Sequence, residues 1–318
     1  MPQIFGGLWL ENLVRQDEQY DLQCELFASG FIRGIQLRVA HPGYTPSVTT
    51  ENLPQLAQKL PDGMKVFVHF GAENVGVDWG ERLDEQGAYA EHGHAHGISW
   101  RDWNRETILW GQTVARVFDR APGAPLGVAH PGYGLGPDDV IARSRIVSGL
   151  LDVGTGSDVA LETVPPVADR TASAAVIKKA TAWPDPQYWG FGGTPRDMKE
   201  LITDLGPGWK CFYDWSHLIV MSNQARFGAE LGVRRGCFDE RWQSIDNVVE
   251  EYLELPHWPI CQYSGAPEGI VPVHDCFPSR IPEPVLAGLR EMEVICLEIP
   301  WDRWTASDRV RRFQDEMR

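Results

Sequence analysis

A chain of 318 residues with 43% hydrophobic content and 13 Trp is long enough for one large barrel-type domain or two ordinary ones, and it must fold around a substantial core. Its formal net charge of −15 weighs against nucleic acid, whose binding rests on neutralised phosphates, and suits a neutral or cationic substrate. No run approaches the roughly 20 apolar residues of a membrane span. The N-terminal MPQIFGGLWLENL lacks the basic region and cleavage site of a signal peptide, so a soluble, cytoplasmic protein with no membrane partner is expected.

Apolar, β-branched runs alternate with segments of helical period. The first run, 3–8, is followed by DEQYDLQCELFASGF (17–31), whose apolar spacing predicts a helix. The run 34–41 leads to a second helical pattern, TENLPQLAQKL (50–60), and the run 65–70 to a long connection at 71–102. WNRETILWGQTVARVFDR (103–120) gathers Ile108, Leu109, Thr113, Val117 and Phe118 on one side and stops before Pro-Gly. After the run 125–130, PDDVIARSRIVSGLL opens with Pro137 and two acids, a helix-start signal. The run 158–163 follows. GFGG at 190–193 lacks the G-x-G-x-x-G spacing and the P-loop Lys of a nucleotide site, and reads as a plain loop before the helix TPRDMKELITDLG (194–206). The run 210–214 is followed by a second long connection, 218–245. Runs at 258–263 and 293–299 precede a last helix in SDRVRRFQDEMR. Eight strand-like runs separated by helix-like ones predict an α/β protein, a single (β/α)8 TIM barrel spanning 1–318 with long βα loops over its C-terminal mouth. A doubly wound open sheet is the main competitor.

The ends of these runs carry metal-ligand-type residues. His69 ends VFVHF, His130 opens HPGYG, Glu162 closes DVALET, Asp214 and His217 lie in DWSH, and Gln262 lies in PICQYSG. His274 and Asp275 follow IVPV, and Glu298 closes VICLE. In a (β/α)8 barrel such strand ends meet at one face. Carboxylates buried there cost several kcal/mol unless a cation or hydrogen bonds compensate, so Glu162 and Glu298 are expected to share a cation rather than face each other unpaired. Asp214 and His217 can both face the mouth if the strand is already turning. His41 in AHPG reads as a structural hydrogen-bonding residue, and His92, His94 and His96 as a surface loop. Six Cys without any C-x-x-C pair, three of them (Cys211, Cys261, Cys296) in apparent core strands, read as reduced buried thiols.

The His69 strand, HPG at 130–132, LET at 161–163, DWSH at 214–217, His274 and LE at 297–298 resemble, in order along nearly the whole chain, the xylose isomerase-like barrel superfamily. Within it they resemble the endonuclease IV and UV-damage endonuclease branch. That resemblance implies one to three divalent ions, Zn or Mn: one on His69, His130 and Glu162, a second on Glu162, Asp214, Gln262 and Glu298, and a third served by His217 and His274. The chain departs from the branch at Gln262, where those enzymes have His, and at Pro272, where they have an acid; the third ion is put in doubt. The sugar isomerase and epimerase branch looks similar through Glu162, Asp214, Gln262 and Glu298 alone, with one ion and two glutamates moving protons beside a carbonyl. Glu162, Glu298 and His217 are thus the candidate catalytic groups. The additional imidazoles favour the first branch, a hydrolase in which a metal-bound hydroxide attacks a phosphodiester of a small-molecule or nucleic-acid-derived substrate. A sugar isomerase is the alternative, and a non-catalytic ligand-binding barrel the third reading.

Overall fold

The computed structural model describes residues 1–71, 79–80, 98–168, 188–227, 238–264, 281–298, 301–303 and 305–318. Eight strands close into a barrel: β1 (Gln3–Trp9), β2 (Gly34–Val39), β3 (Lys65–Phe70), β4 (Gly127–Ala129), β5 (Val159–Glu162), β6 (Cys211–Asp214), β7 (His257–Tyr263) and β8 (Val294–Leu297). Each pairs in parallel with its neighbours in sequence, and β1 closes on β8 with Phe5 opposite Cys296. All eight coincide with the runs expected from the sequence. The reason is burial on both faces: β2, β5, β6 and β8 have no exposed residue, so they read as continuous apolar runs rather than alternating ones.

Inside the barrel, Phe5, Phe67, Val128, Ala160, Phe212, Ile260, Val294 and Cys296 form a closed apolar plug. Phe67 and Phe212 stack across it, with ring centroids 5.3 Å apart and planes 17° from parallel. A larger core lies between the strands and the outer helices.

Helices α1 (Glu18–Ala28), α2 (Trp100–Val117), α3 (Val140–Val153), α4 (Pro195–Leu205) and α5 (Ala306–Glu316) lie where the helical spacing predicts them. The first four open on side-chain caps from Asp17, Ser99, Asp139 and Thr194, each accepting from a backbone N–H of its own first turn. The Pro137 start is displaced to Val140, because the Asp139 carboxylate takes both the Ala142 and the Leu135 N–H. TENLPQLAQKL yields only Leu53–Ala57, since the Asn52 side chain is turned back to Thr49 and Ser47.

The connection expected at 218–245 begins as a helix, Trp215–Phe227, which starts directly after Asp214. Nine of its residues are buried, among them Ser216, His217, Ser222 and Gln224, so it has no amphipathic stripe to betray its period. GFGG is a loop only in part: Gly190 ends a short strand, Tyr188–Gly190, and the turn after it is packed against backbone, a Cβ at Gly193 falling 2.6 Å from the Pro166 Cα. Among the described residues, no helix is long and apolar enough to cross a membrane, and Cys24, Cys211, Cys261 and Cys296 are free thiols. Cys237, Cys276 and the His92, His94 and His96 loop lie outside the described residues.

Candidate metal centre

The plug dictates where the polar residues stand. Side chains two apart on a strand point the same way. His69 is two residues beyond Phe67, His130 beyond Val128, Glu162 beyond Ala160, Asp214 beyond Phe212, Gln262 beyond Ile260 and Glu298 beyond Cys296. Each polar group therefore sits one pleat above the apolar plug, at the C-terminal end of the barrel. These groups are nevertheless buried: Glu162 is 1% exposed, Asp214 0% and Gln262 1%.

Glu162 is the hub. Its Oε2 lies 2.9 Å from His69 Nε2 and 3.2 Å from His130 Nε2, and the two imidazoles meet edge to face with centroids 5.7 Å apart. Its Oε1 lies 3.9 Å from His217 Nδ1. That nitrogen is 2.6 Å from the Thr163 carbonyl, which can only accept, so Nδ1 carries the proton and a neutral His217 keeps its lone pair on Nε2. His217 Nε2 is 3.5 Å from Asp214 Oδ2. Asp214 is fixed by its Oδ1, which accepts from Ser216 N at 2.8 Å, and by its own N–H, which donates to Thr163 Oγ1 at 2.9 Å.

Among the described residues, two groups of ligand atoms result, each within 4.8 Å of one another and sharing Glu162: His69, His130 and Glu162, and Glu162, Asp214 and His217. Asp214 Oδ2 and His69 Nδ1 are buried without a hydrogen-bond partner among the described residues. A buried carboxylate oxygen left unsatisfied beside an imidazole lone pair is the arrangement a divalent cation completes. The donor set of imidazoles and carboxylates suits Zn or Mn, so the residues present fit such an ion.

Charges at the hub are coupled. Burial alone would push the Glu162 carboxyl up, but the facing His130 and His69 outweigh it and hold it well below its ordinary value of 4.5. Burial likewise lowers His69, and the Glu162 carboxylate overrides this and raises it above 6.5. A depressed carboxyl contributes stability above its unfolded value that is lost as pH falls through the folded one. A raised imidazole contributes stability below its unfolded value that is lost as pH rises through the folded one. Metal-free protein is therefore expected to draw most stability from this pair between pH 4.5 and 6.5. Zn or Mn, competing with the imidazole proton, should move the optimum upward. Thermal melts from pH 4 to 9 with and without metal check this; a metal-free melting temperature still climbing from pH 6.5 to 8.5 would contradict it.

The opposite side of the mouth is organised differently. Arg38 Nη2 ion-pairs with Glu298 Oε1, and Gln262 Nε2 donates to Glu298 Oε2. Gln36 Nε2 donates in turn to Gln262 Oε1 at 3.0 Å. The Arg38 guanidinium lies 5.4 Å from the centre of the Trp9 ring. Gln36 and Arg38 escape a reading keyed to strand ends. Their signal is two polar residues spaced by two inside GIQLRV, a strand buried throughout. His41 is a structural residue: its Nε2 lies 3.0 Å from Glu106 Oε2, its Nδ1 accepts from Gly43 N, and its ring stacks on Trp103 at 3.7 Å. His274 and Asp275 lie outside the described residues.

No protein-family model and no curated protein matches the chain. Among solved structures, it is similar to the TTHB071 protein from Thermus thermophilus, soaked with ZnCl2, with a TM-score of 0.52 and 13% identity over 99% of both chains. Lower TM-scores relate it to D-psicose 3-epimerase from Clostridium cellulolyticum H10 (0.46, 10% identity, 96% of this chain and 89% of that one) and to protein SMc04130 from Sinorhizobium meliloti 1021 (0.42, 14% identity, 98% and 96%). At such identities, the likeness to the Thermus protein is one of fold: both chains build the same kind of (β/α)8 barrel along nearly their whole length.

Proposed function

We propose that the protein is a divalent-metal-dependent isomerase or epimerase of the xylose isomerase-like kind, which moves a proton on the carbon beside a carbonyl of a small sugar. The observation that carries this reading is the division of the mouth into two carboxylate units. Glu162 stands among imidazoles and Asp214, a set that fits one cation centre, while Glu298 is held by Arg38 and Gln262. A bound divalent ion would supply Lewis-acid polarisation of substrate oxygens.

The chain's own residues do the rest. His69, His130 and Glu162 would hold the ion, with Asp214 and His217 completing the donor set. Glu298, kept in one orientation by two donors, would accept and return the proton. Neutral sugars suit a chain of net charge −15.

A second reading, a phosphodiester hydrolase of the endonuclease IV type, is favoured by one observation, the convergence of His69 and His130 on the same Glu162 oxygen. Against it stand the net charge and the amide at 262, whose oxygen is already taken by Gln36.

The test is incubation with Mn2+ or Zn2+ and a panel of aldoses and ketoses in D2O, followed by NMR, beside an assay on an abasic-site oligonucleotide. Deuterium should enter a sugar beside its carbonyl, and Glu298→Gln should reduce that exchange by about a hundredfold or more. Strand cleavage without sugar exchange would replace the isomerase reading with the hydrolase one.

A further inference from the structure

We propose that Arg38 is a fixed internal cation occupying the place of a metal ion on the Glu298 side of the mouth, so that Glu298 and Gln262 are not metal ligands. The argument begins with the orientation of an amide. Glu298 Oε1 is taken by Arg38, and Oε2 accepts from Gln262. A carboxylate only accepts, so Gln262 must turn its NH2 toward Glu298 and its carbonyl oxygen away. That oxygen is the one atom of Gln262 that could ligate a metal, and it is satisfied by Gln36 Nε2 at 3.0 Å. Gln36, Gln262, Glu298 and Arg38 thus form a directed chain in which both Glu298 oxygens and the Gln262 oxygen already have a donor, and only Gln36 Oε1 has no hydrogen-bond partner among the described residues.

Burial sharpens the point. Arg38 is 8% exposed and Glu298 6%, so neither is freely solvated, and removing either partner would leave the other as an uncompensated buried charge. A guanidinium does not deprotonate in proteins, so Arg38 cannot make way for a divalent ion by losing its charge, and two cations sharing one buried carboxylate repel. The contrast with Asp214 is direct: its buried Oδ2 has no hydrogen-bond partner among the described residues, on the very side where the imidazoles gather. The mouth is therefore half metal centre and half arginine clamp.

The experiment is titration of chelator-treated full-length protein with MnCl2, by calorimetry and by EPR of free Mn2+. The proteins compared are the unsubstituted one, Glu298→Gln, Arg38→Lys, Arg38→Met and the double variant Arg38→Met/Glu298→Gln, with folding followed by circular dichroism. Glu298→Gln should keep the stoichiometry, with affinity within about threefold. Arg38→Lys should keep the stoichiometry too. Arg38→Met should gain one Mn2+ per chain, and the double variant should lose that extra ion, because a Glu298 carboxylate without its Arg38 counter-charge is what attracts it. Loss of an ion, or of tenfold or more in affinity, in Glu298→Gln would overturn the proposal, and this arm holds even if Arg38→Met fails to fold. A folded Arg38→Met with unchanged stoichiometry would overturn it equally. The inference rests on the metal-dependent reading, yet the two fail separately: unsubstituted protein that binds no Mn2+ or Zn2+ defeats that reading, whereas an ion held by Glu298 defeats only the clamp.

Discussion

Glu162→Gln should abolish measurable Mn2+ or Zn2+ binding and lower turnover by about a thousandfold or more, which corresponds to about 4 kcal/mol of transition-state stabilisation. The size of the effect follows from position. Glu162 contributes to both groups of ligand atoms found among the described residues, so one substitution weakens both. Gln preserves shape and volume, so the change is essentially one of charge. It removes the anion that faces His69 and His130 and that holds the His69 imidazole above its ordinary value. With that anion gone, His69 in metal-free protein should titrate lower, which NMR of the imidazole protons can follow. Metal content by elemental analysis and sugar exchange by NMR are the two decisive measurements. Full metal content in the variant would make Glu162 a structural residue and remove the basis of the proposed function.

Phe212→Ala should produce the largest loss of stability, about 3–5 kcal/mol in equilibrium denaturation. Phe212 is fully buried in the barrel plug and stacks on Phe67. Closed strands cannot easily collapse to fill the resulting void, because each is hydrogen-bonded on both sides. Asp214 stands directly above it on the same strand, so metal affinity should fall along with stability. A cost under about 1 kcal/mol would mean that the barrel interior is loosely packed.

The barrel is legible in the sequence because its strands are buried on both faces and therefore appear as isolated apolar runs at regular spacing. His69, His130, Glu162, Asp214, Gln262 and Glu298 are legible because each interrupts such a run at its end, where burial of a polar group needs a cause. Arg38 and Gln36 are not, since they lie inside a run and their partners, Glu298 and Gln262, are more than 200 residues away in sequence. Nothing local to 34–39 encodes that pairing. The helix after Asp214 is hidden for a related reason. Trp215–Phe227 is buried on most sides, so its composition follows its surroundings and shows no period. His217 is nevertheless legible, because the first turn of that helix carries its ring back toward Asp214.

One consequence follows from the pleat step that sets each polar group above the plug. His69, Glu162, Asp214 and Gln262 are anchored to the hydrogen-bonded staves of the barrel, whereas His217 is carried by the helix that follows Asp214. Under the proposed function, exchange of a βα loop that carries none of these groups should change the molecule admitted before it changes the proton transfer.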